Sequence, residues 1–326
     1  MKSTKNRKVS IIVPCFNCEK FIEQTLECFR VQTFKDFVVI LINDGSTDQT
    51  LDILNQWKSK RCFEMIVIDK NNEGVSKARN KGIEICNSEY LAFCDSDDLL
   101  APTFLEDLLF GITSNDSDAS YCLLTKKYKK FIKCLNACQP SIVSVENQNQ
   151  AVEKMMKNMG QVSFDCILYK TDILKNNFIA FYDGSKYGED REFMWKYLCH
   201  CEHISFVNKV LYYYRQNPSS ATSAKPEWNR TDLLKSTKRV EEYMEKHDCD
   251  CLASFKQYMF SRCVWSVAKD FARSGNKPLF KRLLSEYNVK ANMRITKKDK
   301  AFYVRLSSFV FLIKPSLFFF LMSFFG

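Results

Sequence analysis

The chain is 326 residues long, 46% hydrophobic and 26% charged, with only 9 Gly and 7 Pro; these proportions describe a packed globular protein and exclude collagen-like, disordered and disulfide-knot architectures. Its 48 Lys and Arg exceed its 38 Asp and Glu for a net charge of +10, and the excess gathers near one end, where ten basic residues from Lys277 to Lys314 meet only Glu286 and Asp299. Such a stretch points to an anionic surface, either membrane or nucleic acid.

The start, MKSTKNRKVS, is polar and lacks the apolar run of a signal peptide, so the 15 cysteines are expected to be reduced thiols in a cytosol, most of them small apolar fillers. Cys15-x-x-Cys18 sits beside Pro14 and Asn17, and Cys199, His200, Cys201 and His203 lack zinc-ligand spacing. Both are read as packing rather than as redox or metal chemistry. The weaker pattern of His247, Cys249 and Cys251 receives no role.

Apolar runs at Val9 to Val13, Phe37 to Ile42, Phe63 to Ile68 and Tyr90 to Cys94 alternate with helix-like segments at Glu19 to Val31, Thr47 to Trp57 and Val75 to Ile85. This alternation predicts a parallel sheet with crossover helices, in which ligands bind beyond the carboxyl ends of the strands. The residues just after the runs share one chemistry: Pro14-Cys15-Phe16-Asn17, then Asn43-Asp44-Gly45-Ser46-Thr47-Asp48, then Asp95-Ser96-Asp97-Asp98. A tight turn explains Asp44-Gly45, and a helix start explains Asp48. Carboxylates at the ends of two separate strands are left unexplained, because like charges on one rim repel unless a ligand or cation uses them.

Farther along, a helix follows Pro102, a strand is expected at Ala119 to Leu124, and a basic run from Lys126 to Lys133 reads as a solvated, hairpin-like face. A second strand is expected at Val162 to Tyr169, a helix opens near Gly188, and a strand-like run covers Ile204 to Arg215. Helical spacing then dominates at Leu233 to Lys246, Ala253 to Phe271 and Leu279 to Tyr287. The final 21 residues from Leu306 carry one charge, Lys314, followed by Pro315. A spanning helix needs roughly 20 apolar residues, and a Lys-Pro pair at the midpoint disfavours one. The tail is therefore read as an interfacial or re-entrant segment, with a span or a Phe-rich partner interface as alternatives.

An acidic D-x-D at a strand end is suited to holding Mg²⁺ or Mn²⁺ on a diphosphate, since hard cations take oxygen ligands. The metal neutralises charge on a departing nucleoside diphosphate, and one further carboxylate must then take the proton from an incoming hydroxyl. Glu189-Asp190 at a helix start can supply it. Adjacent helical residues point about 100° apart, so one of the two is expected to face the substrate.

The segments SIIVPCFN, VILINDGSTDQT, NNEGVSKARNKGI and YLAFCDSDDLLAP, in this order, closely resemble the inverting family 2 glycosyltransferases of GT-A fold, over roughly residues 8 to 220. The resemblance implies an α/β class: a GT-A, Rossmann-like nucleotide-diphospho-sugar transferase with a mixed sheet flanked by helices, to which helical spacing and tail composition add a C-terminal helical, membrane-seeking extension. It divides the chain into a nucleotide-sugar half at 1–100, an acceptor half at 101–225 and the extension at 226–326. It implies that Pro14 and Asn17 border the base and ribose, that Asp44 bonds a uracil-type base, and that Asn72, Gly74 and Arg79 complete the nucleotide wall. Asp95, with Ser96 beside it, would hold the ribose or help the metal, Asp97 would bind Mn²⁺ or Mg²⁺ directly, Asp190 in GEDREF would be the base, and Glu189 would meet the acceptor.

Two departures stand out. No histidine follows Tyr214-Arg215, which leaves a third metal contact unassigned, and the Q-x-x-R-W pattern of processive synthases is absent, which predicts one sugar per binding event. The expected reaction takes a sugar from a nucleoside-diphosphate sugar, with UDP as the expected nucleotide, to a saccharide or lipid-linked saccharide acceptor at the cytoplasmic membrane face, with no nucleic acid as partner. A sugar nucleotidyltransferase would need a Gly-rich phosphate loop after the first strand, and a dinucleotide oxidoreductase a G-x-G-x-x-G; neither is present. A catalytically degenerate scaffold of the same fold is the remaining alternative.

Overall fold

The computed structural model describes residues 7–137, 142–158, 160–217 and 225–324. The polar start through Asn6, Pro218 and Ser219 of the run after Tyr214, and the last two residues of the tail lie outside the described residues.

Strands β1 (Val9–Cys15) and β2 (Phe37–Asp44) are buried at every residue. That is why they read as unbroken apolar runs: a central parallel strand is covered on both faces. Helices α1 (Ile22–Arg30) and α2 (Thr50–Lys60) return the chain to β2 and β3 (Glu64–Lys70), and α3 (Val75–Ile85) leads to β4 (Tyr90–Phe93). The two-residue β5 (Leu99–Leu100), α4 (Phe104–Ser114), β6 (Ala119–Thr125), α5 (Tyr128–Asn136), β7 (Val143–Asn147) and α6 (Gln148–Lys157) follow. Then come β8 (Ile167–Lys170), α7 (Thr171–Asn176), α8 (Glu189–Leu198) and the long β9 (His203–Tyr213).

The sheet order is β3-β2-β1-β4-β8-β6-β9-β5, with β7 paired to β9. From β3 to β4 all pairings are parallel; β8 then runs antiparallel to β4 and β6. The change of sense makes the sheet mixed, and β9 returns parallel to β6 while its end pairs with β5 through Leu99 and Tyr213. The acidic loop after β4 is thus brought back beside the end of β9.

The chain forms two compact units, Met1–Ala151 with Asn158–Asp183 and His200–Gln216, and Val152–Lys157 with Gly184–Cys199 and Asn217–Gly326. The first holds the sheet. The second is helical: α8, α9 (Asp232–Lys246), α10 (Leu252–Arg273), α11 (Lys277–Glu286), α12 (Val289–Thr296), α13 (Phe302–Ile313) and α14 (Pro315–Ser323). Within it, the Asn276 side chain accepts from the backbone N–H of Leu279 and caps α11 ahead of Pro278. An oxygen on the flanking residue satisfies one of the orphan donors of a helix start.

Two expectations are corrected. The lysine run is helical, not hairpin-like: Phe131 turns inward and Lys126, Lys127, Lys129, Lys130 and Lys133 are exposed, so the solvated face holds while its conformation differs. Spacing of apolar residues at 128, 131, 132 and 135 favours that helix, and no Gly or Asn is available there for a tight hairpin turn. The run at Val162 to Tyr169 is not one strand; Phe164–Cys166 is a 3-10 turn closed by the Cys166 N–H on the Ser163 carbonyl at 3.0 Å, and β8 starts only at Ile167.

In the tail, α13 and α14 meet at Lys314, whose extended backbone (φ −155°) breaks the helix before Pro315. No helix among the described residues is long and apolar enough to cross a membrane.

Candidate active site

The loops after β1 and β2 are stitched together by side chains. Pro14 is buried at the end of β1, and Asn17 takes a left-handed backbone (φ +47°), which a short amide tolerates better than most residues. Its N–H donates to Ser46 Oγ at 3.0 Å, and its Oδ1 accepts from the Thr47 N–H at 2.8 Å. Gly45 (φ +70°) passes so close to the next loop that a Cβ there would fall 2.6 Å from the backbone nitrogen of Asn72. Asn72 is exposed on that rim.

Asp44 is almost fully buried and its carboxylate is held by the chain itself. It accepts from the backbone N–H groups of Glu73 (3.0 Å) and Gly74 (2.8 Å) and pairs with Lys70. Burial pushes the Asp44 carboxyl up, but Lys70 and the two amides outweigh burial and hold it below its ordinary range. It is therefore an anion that orders the turn into α3.

The loop Asp95-Ser96-Asp97-Asp98 is gripped from three sides. Asp95 accepts from Arg79 Nη2 at 2.8 Å, and the Arg79 guanidinium, buried, lies 4.5 Å over the Phe164 ring and 5.2 Å from that of Phe181. The Ser96 and Asp98 carbonyls accept from Thr25 Oγ1 at 3.0 and 2.9 Å. Asp98 accepts from Tyr212 Oη and from the Arg215 backbone N–H, both at 2.7 Å. Arg215 also donates through Nε to the Asp97 carbonyl at 2.6 Å and through Nη2 to Gln24 at 2.7 Å.

The carboxylates drawn into one cluster are Asp95, Asp98 and Asp165, with oxygens within 4.8 Å of one another; Asp97 is not among them. Among the described residues this is the one group suited to a metal ion. Burial, then Asp95 nearby, pushes the Asp98 and Asp165 carboxyls well above the ordinary range. An all-oxygen donor set with a buried Asp165 Oδ1 that has no hydrogen-bond partner fits a hard divalent cation.

Asp190 lies in the other unit, as the second residue of α8, and accepts from the Arg191 backbone N–H at 2.7 Å. Gly188 before it is left-handed (φ +88°), and a Cβ there would meet Ser236 Oγ at 2.4 Å. The next acid in the motif, Glu192, faces the opposite way: it is fully buried and pairs with Lys196 at 2.7 Å and Arg239 at 2.6 Å. Sequence reasoning places Asp98 on the rim and notes Arg215 without giving either a role, and it misses Asp165, Tyr212 and Glu192. For Arg215 a signal existed, since it is a cation at the very end of the last strand-like run.

A mixed α/β sheet with an acidic loop at the end of β4 and a return strand beside it defines the GT-A class of nucleotide-sugar transferase folds. The profile named Glycosyl transferase family 2 matches residues 10–178, over half of the chain, and the chain belongs to that family. It is 29% identical over 220 residues to "Uncharacterized glycosyltransferase EpsJ" of Bacillus subtilis (strain 168), covering 66% of this chain and 62% of that protein. It is 28% identical over 265 residues to "Poly(ribitol-phosphate) beta-N-acetylglucosaminyltransferase TarS" of Staphylococcus aureus (strain MW2), covering 78% of this chain but only 45% of TarS. In three dimensions, TarS residues 1–349 in complex with UDP-GlcNAc superpose with a TM-score of 0.71 at 21% identity, over 97% of this chain and 90% of that one. The mannosyltransferase PcManGT of Pyrobaculum calidifontis, in complex with GDP-Man and Mn²⁺, gives 0.57 at 12% identity, over 96% and 88%.

Proposed function

We propose that the chain is a non-processive inverting glycosyltransferase that moves a hexose or N-acetylhexosamine from a UDP-sugar to a hydroxyl of a lipid-linked saccharide at the inner face of the cell membrane. The observation that carries the donor half of this reading is the rim itself, where loops after β1, β2 and β4 are held in one ordered set by Asn17, Asp44 and Arg215. TarS, bound to UDP-GlcNAc on the same fold, supports UDP. In this reading residues 1–100 serve the donor, 101–225 the acceptor and 226–326 the membrane. Pro14, Asn17, Asn72 and Gly74 border the nucleotide, Asp44 orders the wall that meets the base, Arg79 holds Asp95, and Asp95, Ser96 and Asp97 face ribose and metal.

Asp95 and Asp97 would hold Mn²⁺ or Mg²⁺, which would supply positive charge against the departing diphosphate. Asp190 takes the proton of the acceptor hydroxyl as its oxygen bonds to the anomeric carbon. The bond from that carbon to the diphosphate oxygen breaks, its electron pair leaves with the diphosphate, and configuration inverts. Glu189 contacts the acceptor. Calorimetry of the purified chain against UDP, GDP, dTDP and CMP with Mn²⁺ tests the donor assignment. UDP is expected to bind at least roughly tenfold more tightly than the others, about 1.4 kcal/mol; equal binding of all four, or none, would overturn it.

The membrane half rests on the tail. Phe302, Leu306, Phe309, Ile313, Leu317, Phe320 and Phe324 are exposed and recur every three or four residues along α13 and α14, with Phe302 at 65% and Phe324 at 69%. Lys297, Lys298, Lys300, Arg305 and Lys314 accompany them, no acid follows Asp299, and Asp299 itself is buried against Arg262 and Tyr258. Apolar aromatics bordered by exposed cations suit an anionic bilayer surface. The wild type is expected to sediment with vesicles containing phosphatidylglycerol and not with neutral ones. Phe309→Ser with Phe320→Ser should weaken that binding roughly tenfold or more, given about 1.5–3 kcal/mol per buried aromatic; undiminished sedimentation would remove the tail from the reading.

A further inference from the structure

Three carboxylates crowd the space behind the acidic loop, and one of them belongs to no recognised motif. Asp165 sits in the 3-10 turn before β8, 1% exposed, with Oδ1 lacking any hydrogen-bond partner and Oδ2 receiving only a long contact from Ser163 Oγ at 3.4 Å. Its oxygens lie within 4.8 Å of those of Asp95 and Asp98. Around this set the cationic neighbour is Arg79, on Asp95, and the other donors are the neutral Tyr212 Oη and the Arg215 backbone N–H, on Asp98. Three carboxyl groups against one guanidinium, two of them buried, need either protons or a cation to neutralise them.

We propose that Asp165, together with Asp95 and Asp98, forms a divalent-cation site that fills before any nucleotide arrives. A dication cancels in one step the two charges by which three ionised carboxylates exceed one guanidinium. The donors are all oxygen, which selects Mg²⁺ or Mn²⁺ over softer metals. Oxygens 4.8 Å apart at most are near what one ion spans with ligands at about 2.0–2.6 Å. The 3-10 turn gains a purpose from this. A regular strand through residues 162–169 would alternate its side chains across the sheet, whereas the turn buries Phe164, Asp165 and Cys166 together and presents Asp165 to the loop while Phe164 stacks under Arg79. The inference rests on reading this rim as the donor site, and it adds two carboxylates, Asp98 and Asp165, that hold the ion from the protein side.

The test uses the full chain, stripped of metal, with Mn²⁺ titrated by electron paramagnetic resonance in the absence of nucleotide. One ion per chain is expected, and Asp165→Asn should weaken it roughly tenfold to a hundredfold. Mn²⁺ should also raise the melting temperature of the wild type and not of the variant. If Asp165→Asn loses its native circular dichroism, Asp165→Ser carries the same comparison. Mn²⁺ affinity unchanged in a folded variant overturns the site. A wild type that takes no Mn²⁺, with a metal-free Asp165→Asn melting higher than the wild type, overturns it in favour of a shared proton. UDP binding in excess Mn²⁺ on the same sample reports on the donor-site reading separately, because Mn²⁺ binding here is measured without nucleotide.

Discussion

Asp190→Asn is expected to reduce transfer from the UDP-sugar by about 10²–10⁴-fold, the range for loss of a positioned general base, while UDP affinity stays within about twofold. Asparagine keeps the size of the side chain and the bond from the Arg191 N–H, which needs only a carbonyl oxygen, so the fold of α8 is undisturbed. What it loses is the ability to accept the hydroxyl proton. The readout is therefore a fall in kcat with little change in the KM for donor, as for any interaction made mainly in the transition state. Transfer within tenfold of the wild type would remove Asp190 as the base and direct attention to Glu189, one position earlier on the same helix.

Glu192→Ala is expected to act on stability, not on chemistry, and to cost about 3–5 kcal/mol, the range for breaking a buried ion pair from one side. Glu192 is fully buried and serves both Lys196, one turn on, and Arg239 on α9, which approaches with Nη2 at 2.6 Å and Nε at 3.0 Å. Two residues beyond Asp190 on an α-helix is a rotation of about 200°. Asp190 and Glu192 of GEDREF therefore point to opposite sides of α8, one to the proposed chemistry and one to the α8–α9 contact. Urea denaturation of the variant should show a lower midpoint, with circular dichroism of the native baseline preserved. A midpoint unchanged from the wild type would mean that the pair contributes nothing net to the fold.

The parallel half of the sheet was legible because its strands are buried on both faces and so appear as unbroken apolar runs, with turn chemistry after each. Asp44, Asn17 and the acidic loop could be located for the same reason: they follow those runs directly. The rest of the rim was not, because its contacts join residues far apart in sequence. Arg215 reaches Asp97 across 118 positions and Tyr212 reaches Asp98 across 114, and no local period records such a pairing. Asp165 was hidden by composition, since VSFDCILYK looks like an amphipathic strand until the Ser163 carbonyl closes the turn. The short β5, and β7 with α6, escaped notice because two residues or a polar, half-exposed strand carry little pattern. At the tail, the Lys-Pro pair that disfavours a span marks the break between α13 and α14, whereas the packing of both halves onto the helical unit leaves no local signal.

That packing gives α13 and α14 two unlike faces. Phe311 and Phe318 pack edge to face at 5.5 Å, Phe318 stacks on Phe280 of α11 at 6.1 Å, and Ser307 takes the indole N–H of Trp265 on α10 at 2.9 Å. Trimming the chain at residue 301 to make it easier to handle would strip the cover from Phe280 and Trp265 and leave that indole without its acceptor. The segment with the greasiest exterior is also a wall of the helical unit, so solubility has to be sought by polar replacement on its outer stripe and not by deletion.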